Sequence, residues 1–237
     1  YSTHGGDSEQ LVINCSFEGI IEGKDSNCEY VGGIIGHINT DSKFSVKNCT
    51  TGGRILNAKA TYAGGVCAYG NAAEIKNCIN RMDVTGGKDG GAAGGVVGYI
   101  YGVDNCFNYG SITNSAAKYI GGVAGYAKGT VQKCTNLADI AVTDSKTSHV
   151  GGVCGLTTGN ITFCGNLGGI DANGTTPSGD LFIGGIVGQT GYPVRQSYNQ
   201  GDITVSSGKV KYAGIIGDHQ IVTNYANISD CFNTGNI

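Results

Sequence analysis

The chain contains little proline, no tryptophan and few charged residues. Of its 237 residues 2 are proline and 1 is methionine, and 14% are charged, with a formal net charge of −3. The scarcity of proline excludes a collagen-like chain and a proline-rich linker. The charge is small and nearly balanced, so it supplies no basic patch for nucleic acid, and no nucleic-acid partner is expected.

Long apolar runs and helical patterning are missing as well. No run reaches the about 18 consecutive apolar residues that a membrane-spanning helix needs, so membrane insertion of this segment is not expected. No stretch carries a sustained apolar stripe with a period of 3.6 residues, which disfavours helix. No signal peptide is recognisable, and the chain ends on Ile237 without a capping element. Because the ends of repeat arrays need covering, we expect a segment of a larger protein with flanking domains.

Glycine, by contrast, is abundant and recurs at fixed positions. It accounts for 43 residues, and seven glycine blocks share the pattern of two small residues, a β-branched residue, a small or apolar residue and usually glycine. The second glycines of successive blocks are 32, 30, 27, 30, 33 and 29 residues apart. Such a period indicates a stack of similar supersecondary units. The blocks are Gly32–Gly36, Gly64–Ala68, Gly94–Gly98, Gly121–Gly125, Gly151–Gly155, Gly184–Gly188 and Ala213–Gly217.

A second motif, Cys-x-Asn-x-Gly-x-Ile, recurs eight times, once before the first block and once after each block, and its clearest copies begin at Cys106 and Cys231. Its aligned apolar positions hold only valine and isoleucine, which favour strands over helices. The sequence therefore predicts an all-β protein, a parallel β-solenoid (β-helix) of seven to eight coils with roughly 30 residues per coil, in one domain over residues 1–237. Each coil is expected to have one strand at the glycine block, one leading into Cys and one at Gly-x-Ile. The glycines either adopt positive φ or let neighbouring coils approach closely.

The asparagine and cysteine positions of this motif are interpreted as structural. Asparagine tolerates the left-handed region, so it is expected at a repeated corner, where stacked side chains could also bond to one another. Cysteine occupies seven of the eight aligned positions, and Ser197 the other. Neighbouring coils would allow disulfides, but side chains in parallel register point the same way, so a buried row of free thiols is favoured.

No pattern typical of an active or metal site was found. The cysteines lack the spacing of zinc ligands, the four histidines occupy unrelated positions, and the glycine blocks lack the Lys-Ser/Thr of a phosphate loop. Asp83, Asp139 and Asp202 share one repeat position, but they lie two or more coils apart, about 10 Å, which is too far for a carboxylate pair. We therefore predict no catalytic residue, no metal and no cofactor.

An aromatic row beside the glycine blocks provides the binding candidates. It comprises Tyr30, Tyr62, Tyr119, Phe182 and Tyr212, with Ala92 and His149 at the same repeat position. If the rings point outward they could stack on sugar rings, and if they point inward they pack in the core. Alternation with the β-branched residues along the strand favours inward packing, unless the glycine pair introduces a bulge.

The two motifs together resemble the GLUG-motif repeat. Gly184–Gly188, followed by Val194–Ile203, is similar to its Gly-Gly-Ile-Val-Gly and Ile-x-Asn-Ser-Tyr-Asn-x-Gly-x-Ile halves, and the likeness spans almost the whole chain. Cysteine in place of the usual serine is the main departure. Such repeats occur as non-catalytic parts of large bacterial surface and secreted proteins, so the resemblance implies an extracellular or cell-surface location.

The function expected from this resemblance is that of a non-catalytic repeat module. It would act as a rigid spacer, or as an adhesion surface for a glycan or for a host or cell-surface protein. The alternative is a carbohydrate-active β-helix enzyme, a polysaccharide lyase or hydrolase. That alternative requires acidic or basic groups clustered on one outer face, which the sequence does not show.

Overall fold

The structure is a computed structural model that describes residues 10–22, 28–39, 43–113, 116–173, 175, 177–206, 208–220 and 227–237. These residues form 32 short strands and no helix. Every strand pairing is parallel, and the paired strands form sheets of 13, 7 and 12 strands. The predicted all-β parallel β-solenoid is thus confirmed, with about seven coils to match the seven-stranded sheet.

The strands of the first three coils include the longest in the molecule. They are β1 Gln10–Ile13, β2 Ser16–Glu22, β3 Tyr30–Gly32, β4 Ile35–Ile38, β5 Phe44–Lys47, β6 Thr50–Ala58, β7 Tyr62–Gly64, β8 Cys67–Lys76, β9 Ile79–Gly86, β10 Ala92–Gly94 and β11 Val97–Asp104.

From β12 onward the strands are shorter and more regular. The first group is β12 Phe107–Asn108, β13 Ile112–Thr113, β14 Tyr119–Gly121, β15 Ala124–Ala127, β16 Val131–Gln132, β17 Thr135–Asn136, β18 Ile140–Ala141, β19 His149–Gly151, β20 Cys154–Thr157, β21 Ile161–Thr162 and β22 Gly165–Asn166. The remaining strands are β23 Ile170–Asp171, β24 Leu181–Gly184, β25 Val187–Thr190, β26 Val194–Arg195, β27 Tyr198–Asn199, β28 Ile203–Thr204, β29 Val210–Ala213, β30 Ile216–His219, β31 Ile228–Ser229 and β32 Phe232–Asn233.

Each glycine block forms the corner between the seven-stranded and the thirteen-stranded sheets, rather than the single strand expected from the sequence. In the fourth coil the corner lies between β14 and β15 and contains Gly122. A Cβ atom on Gly122 would lie 2.1 Å from the carbonyl oxygen of Gly152 and 2.3 Å from the side-chain Cγ of Asn136. The block glycines have no positive φ. Close approach is therefore the reason for glycine here, and the alternative of relieved left-handed bends is wrong.

The asparagines of the second motif form a buried row, which we call the inner amide ladder. In the fourth coil the Asn136 side chain donates to Asn166 Oδ1 at 2.8 Å and to the Ala138 carbonyl at 2.7 Å, and it accepts from Asn108 at 2.8 Å. The predicted bonding between stacked side chains is confirmed, since the ladder is continuous from Thr51 to Asn233; the first described coil has Phe17 at this position, opposite Thr51. Its members are Thr51, Asn80, Asn108, Asn136, Asn166, Asn199 and Asn233.

The left-handed corner lies elsewhere than expected, at the residue directly before each cysteine or serine. In the first coils this residue is asparagine, and the exposed side chains form a second row, the outer amide row: Asn14, Asn48, Asn77 and Asn105. Later coils place Lys133, Phe163, Gln196 and Asp230 at the same position, with φ between 49° and 56°. Asparagine fits a left-handed corner, but the asparagine that defines the motif serves the core instead.

The interior is filled by valine, isoleucine, alanine and cysteine. Val123 is fully buried. Cysteines 49, 78, 106, 134 and 164 are fully buried as well, and all ten cysteines are free thiols. The buried thiols contact the backbone of their own and neighbouring coils; Cys106 Sγ, for example, lies 3.4 Å from the Cys78 amide nitrogen and 3.3 Å from the Asp104 carbonyl oxygen. The row thus provides compact, weakly polar core packing.

Candidate functional site

The aromatic row lies on the outer side of the seven-stranded sheet. In β3 and β14 the residue after the tyrosine, Val31 or Ile120, is buried, whereas the rings of Tyr30 and Tyr119 are only partly buried. Because side chains alternate across a strand, the rings project away from the core. The expectation that the rings point inward is therefore wrong, although they do pack tightly, against one another.

Tyr212 does not belong to this row. The register of β24 and β29 pairs Phe182 with Lys211 and Ile183 with Tyr212. Tyr212 thus continues the inward position of Ile183, and 49% of it is exposed. Within the described residues β29 is the last strand of its sheet, so no further strand covers Tyr212. The outer row ends instead in Lys211, whose ammonium lies 4.8 Å from the centre of the Phe182 ring.

A second outer row, from the thirteen-stranded sheet, meets the first along the glycine corner. It consists of the residue directly after each glycine block: His37, Tyr69, Tyr99, Tyr126, Leu156, Gln189 and Asp218. Reasoning from the sequence missed this row. Aligning the blocks and reading one position further would have shown three tyrosines in succession.

The two rows interlock into one continuous surface, the aromatic face. Its rings are Tyr30, His37, Tyr62, Tyr69, Tyr99, Tyr119, Tyr126, His149 and Phe182. Contacts alternate between the rows: Tyr62 lies 4.9 Å from Tyr69, and Tyr126 lies 5.5 Å from Tyr119, between ring centres. Where the first row has only Ala92, the connection passes through Tyr99, which lies 4.9 Å from Tyr126. The face therefore extends without a break over six coils.

The environment of the face favours the uncharged forms of Tyr62, Tyr69 and His149. Burial, followed by the neighbouring tyrosines, raises the pKa of Tyr62 and of Tyr69. Burial, together with the nearby Lys118, lowers the pKa of His149 to about 4. His149 packs between Tyr119 and Phe182, and its Nδ1 lies 2.7 Å from the Ser148 hydroxyl. At neutral pH these three rings are thus uncharged.

Positive charge approaches the aromatic face at three places along its length. The ammonium groups of Lys118, Lys128 and Lys211 lie 5.2, 5.7 and 4.8 Å from the centres of the Tyr119, Tyr99 and Phe182 rings. Lys128 is also held by the side-chain oxygen of Asn71 at 2.8 Å. The face therefore combines apolar rings, phenolic hydroxyls and cations.

The aligned aspartates have structural partners in the next coil. Asp83 Oδ1 accepts from the amide and the hydroxyl of Ser111, both at 2.9 Å, and Asp139 Oδ1 accepts from the Gly169 amide at 2.8 Å. Asp202 Oδ1 accepts from the Asn236 amide at 2.7 Å. These bonds fix neighbouring coils and bring no two of these carboxylates together. In the described part of the chain no three histidine, cysteine or acidic side chains are placed to hold a metal.

Comparison with known proteins adds no assignment. No protein-family model, no curated protein and no solved structure matches this chain. Among the described residues no helix is long and apolar enough to cross a bilayer.

Proposed function

We propose that the chain is a non-catalytic β-solenoid module of a bacterial cell-surface or secreted protein. It acts as a rigid spacer whose aromatic face is an adhesion surface for a glycan or for a host or cell-surface protein. The observation that carries the proposal is the continuity of this face: nine contacting rings on one edge of the rod, with lysines beside them.

The chemistry of the face suits a binding surface. Tyrosine offers an apolar ring and a polar tip, and such residues are enriched where proteins meet partners. Little side-chain entropy is lost on binding, because the rings already hold one another in place. Successive rings of one row repeat about every 4.8 Å along the rod, the spacing of paired strands. A linear polymer with short repeating units, such as a polysaccharide, is therefore a fitting partner.

The remaining parts of the proposal rest on the resemblance to GLUG-motif repeats. The parallel solenoid is compatible with it, since the glycine block and the Cys-x-Asn-x-Gly-x-Ile half form one coil. Location at the cell surface and adhesion are carried over from that resemblance. The three aligned carboxylates accept hydrogen bonds from backbone amides of the next coil: Asp83, Asp139 and Asp202. This structural role favours the non-catalytic module over a carbohydrate-active enzyme.

A glycan array combined with a reducing-sugar assay tests the proposal. We expect the wild-type chain to retain at least one class of glycan without releasing sugar. The variant Tyr69→Ser/Tyr126→Ser should lose this retention, since it interrupts the aromatic face between the two rows. The control Tyr109→Ser changes an exposed tyrosine whose ring contacts Arg81 rather than the aromatic face. Equal retention by both variants, or release of sugar by the wild type, would refute the proposal.

A further inference from the structure

Two tyrosines of neighbouring coils are placed for a covalent reaction that does not depend on the proposed adhesion function. We propose that Tyr69 and Tyr99 form an oxidative cross-linking site, at which a peroxide-dependent one-electron oxidant joins the two rings into dityrosine. The product is a carbon–carbon staple between the second and third coils.

The geometry of this pair differs from that of the other contacts between two tyrosines. Tyr69 of β8 and Tyr99 of β11 are register partners. Their ring centres are 4.7 Å apart and the ring planes differ by 11°. Tyr30 and Tyr62 are also parallel register partners, but their centres are 5.8 Å apart. Tyr99 and Tyr126 are close, at 4.9 Å, but meet at 78°. Parallel, overlapping rings bring the carbon atoms next to the two hydroxyls near each other, as coupling requires.

The reaction balances with hydrogen peroxide as the oxidant. Each phenol loses one electron and one proton and becomes a phenoxyl radical, and the two radicals join through ring carbons adjacent to the oxygens. Return of the two ring hydrogens to the phenol oxygens restores both hydroxyls. In total two tyrosines lose two hydrogen atoms, and one hydrogen peroxide is reduced to two water molecules.

Neighbouring rings enlarge the target for the first oxidation. Tyr62 lies 4.9 Å from Tyr69 and 5.6 Å from Tyr99 between ring centres, and each of these rings is partly exposed. When one of these rings loses an electron, a neighbouring ring can transfer an electron to it. The two radicals can therefore meet at the parallel pair even when oxidation begins elsewhere on the aromatic face.

The cysteines compete poorly for the oxidant because seven of the ten are buried. The thiolate is the reactive form, and burial raises the pKa of Cys67 and of Cys154 to about 12. The single methionine, Met82, is fully buried. Cys15 is exposed, and Cys28 and Cys231 are partly exposed, so these three are the thiols that an experiment has to remove.

The test treats the Cys15→Ser/Cys28→Ser/Cys231→Ser protein, at high dilution, with a haem peroxidase and hydrogen peroxide. We expect a monomeric product that is lighter by two hydrogen atoms, shows dityrosine fluorescence and links the peptides that contain Tyr69 and Tyr99. Tyr99→Phe keeps the ring and its packing but cannot form the phenoxyl radical, so the intramolecular link should disappear.

Tyr101→Phe is the matched control, because Tyr101 is in the same strand and peptide and is 49% exposed. This variant, and Tyr62→Phe, should still form the link. The proposal is overturned if the cysteine-substituted protein with all its tyrosines forms no link within the monomer, or if its dityrosine arises only between molecules. It is also overturned if the link survives Tyr99→Phe or is lost in Tyr101→Phe. Circular dichroism of each variant before oxidation confirms that the chain is folded.

Discussion

The inner amide ladder and the aromatic face run along the same rod, yet they differ in regularity. All six side-chain bonds of the ladder are between 2.6 and 2.8 Å. On the aromatic face the ring-centre distances range from 4.3 to 5.8 Å and the interplanar angles from 8° to 78°. A buried amide has to satisfy its donors and acceptors in every coil, whereas a partly exposed ring only has to fill space. Uniformity therefore marks the interior, and variation marks the surface available for recognition.

The largest effect is expected from charging the ladder. Asn136→Asp replaces the amide that donates to Asn166 and to the Ala138 carbonyl with a carboxylate that donates to neither. A buried, unpaired charge in the middle of the stack should lower the free energy of unfolding by about 3–5 kcal/mol. Urea denaturation followed by circular dichroism measures this loss.

The control for Asn136→Asp is Asn105→Gly in the outer amide row. It removes an exposed amide bond of 2.9 Å, and glycine adopts the φ of 51° at this position without strain. A change within about 0.5 kcal/mol is expected at this exposed site. Similar losses in both variants would show that burial does not distinguish the two rows of amides.

Acid should weaken the aromatic face while leaving the amides untitrated. The pKa of His149 is about 4 in the folded chain, below the ordinary histidine value of 6.5, so the unfolded chain binds the proton more tightly. Stability should therefore fall as the pH decreases below about 6.5, and the loss should be complete, at about 2–3 kcal/mol, once the pH is below about 4. Urea denaturation at a series of pH values measures it.

The pH dependence has to be assigned by difference, because other groups titrate in the same range. His149→Phe copies Phe182, the register partner in the next coil. The wild type should lose more stability than this variant between pH 7 and pH 4. Parallel curves for the two proteins would mean that His149 is not the responsible group.

Removing one ring should have a smaller effect than charging the ladder. Tyr99→Ala deletes the ring contacts with Tyr62, Tyr69 and Tyr126. Because the ring is partly exposed, we expect a loss of about 1–2 kcal/mol in the free energy of unfolding. Tyr99→Phe keeps these contacts and should stay close to the wild type in the same denaturation experiment. A loss as large as that of Asn136→Asp would make the face as important to folding as the ladder.

The smallest predicted effect is a gain in stability. Lys133 occupies the exposed left-handed corner directly after the coil of Asn105, with φ of 54°. Lys133→Asn should extend the outer amide row by one bond to Asn105 Oδ1, in the pattern by which Asn105 donates to Asn77. Asparagine also tolerates this conformation better than lysine, so a rise of about 0.5 kcal/mol is expected in thermal or urea denaturation. A loss would show that the row is a consequence of the corner and contributes nothing to it.

The coil architecture could be predicted from the sequence because every repeat reports the same local geometry. The valine and isoleucine positions indicated strands, and the recurring asparagine correctly suggested bonded side chains. The role of glycine could not be chosen from the sequence, since the short distance from Gly122 to Asn136 involves residues 14 positions apart on opposite sides of the coil.

Of the two rows of the aromatic face, the sequence analysis identified one and missed the other. Ala213 occupies the place of the first glycine in its block, so counting back from Gly214 selects Tyr212, whereas the strand register selects Lys211. The direction of the rings depended on where the strand ends and the corner begins, which β-branched alternation alone does not reveal. The row at Tyr69, Tyr99 and Tyr126 was overlooked because it lies just outside the glycine block.

The second glycine of a block contacts an asparagine of the same coil. This contact limits how such a chain can change in length. Gly95 faces Asn108, and Gly122 faces Asn136, so each glycine is matched to an asparagine later in its own coil. Removing half a repeat would place a residue with a side chain opposite the asparagine, where only glycine leaves enough room. Duplications and deletions are therefore tolerated in whole coils, and the length of the rod is quantised in steps of about 4.8 Å.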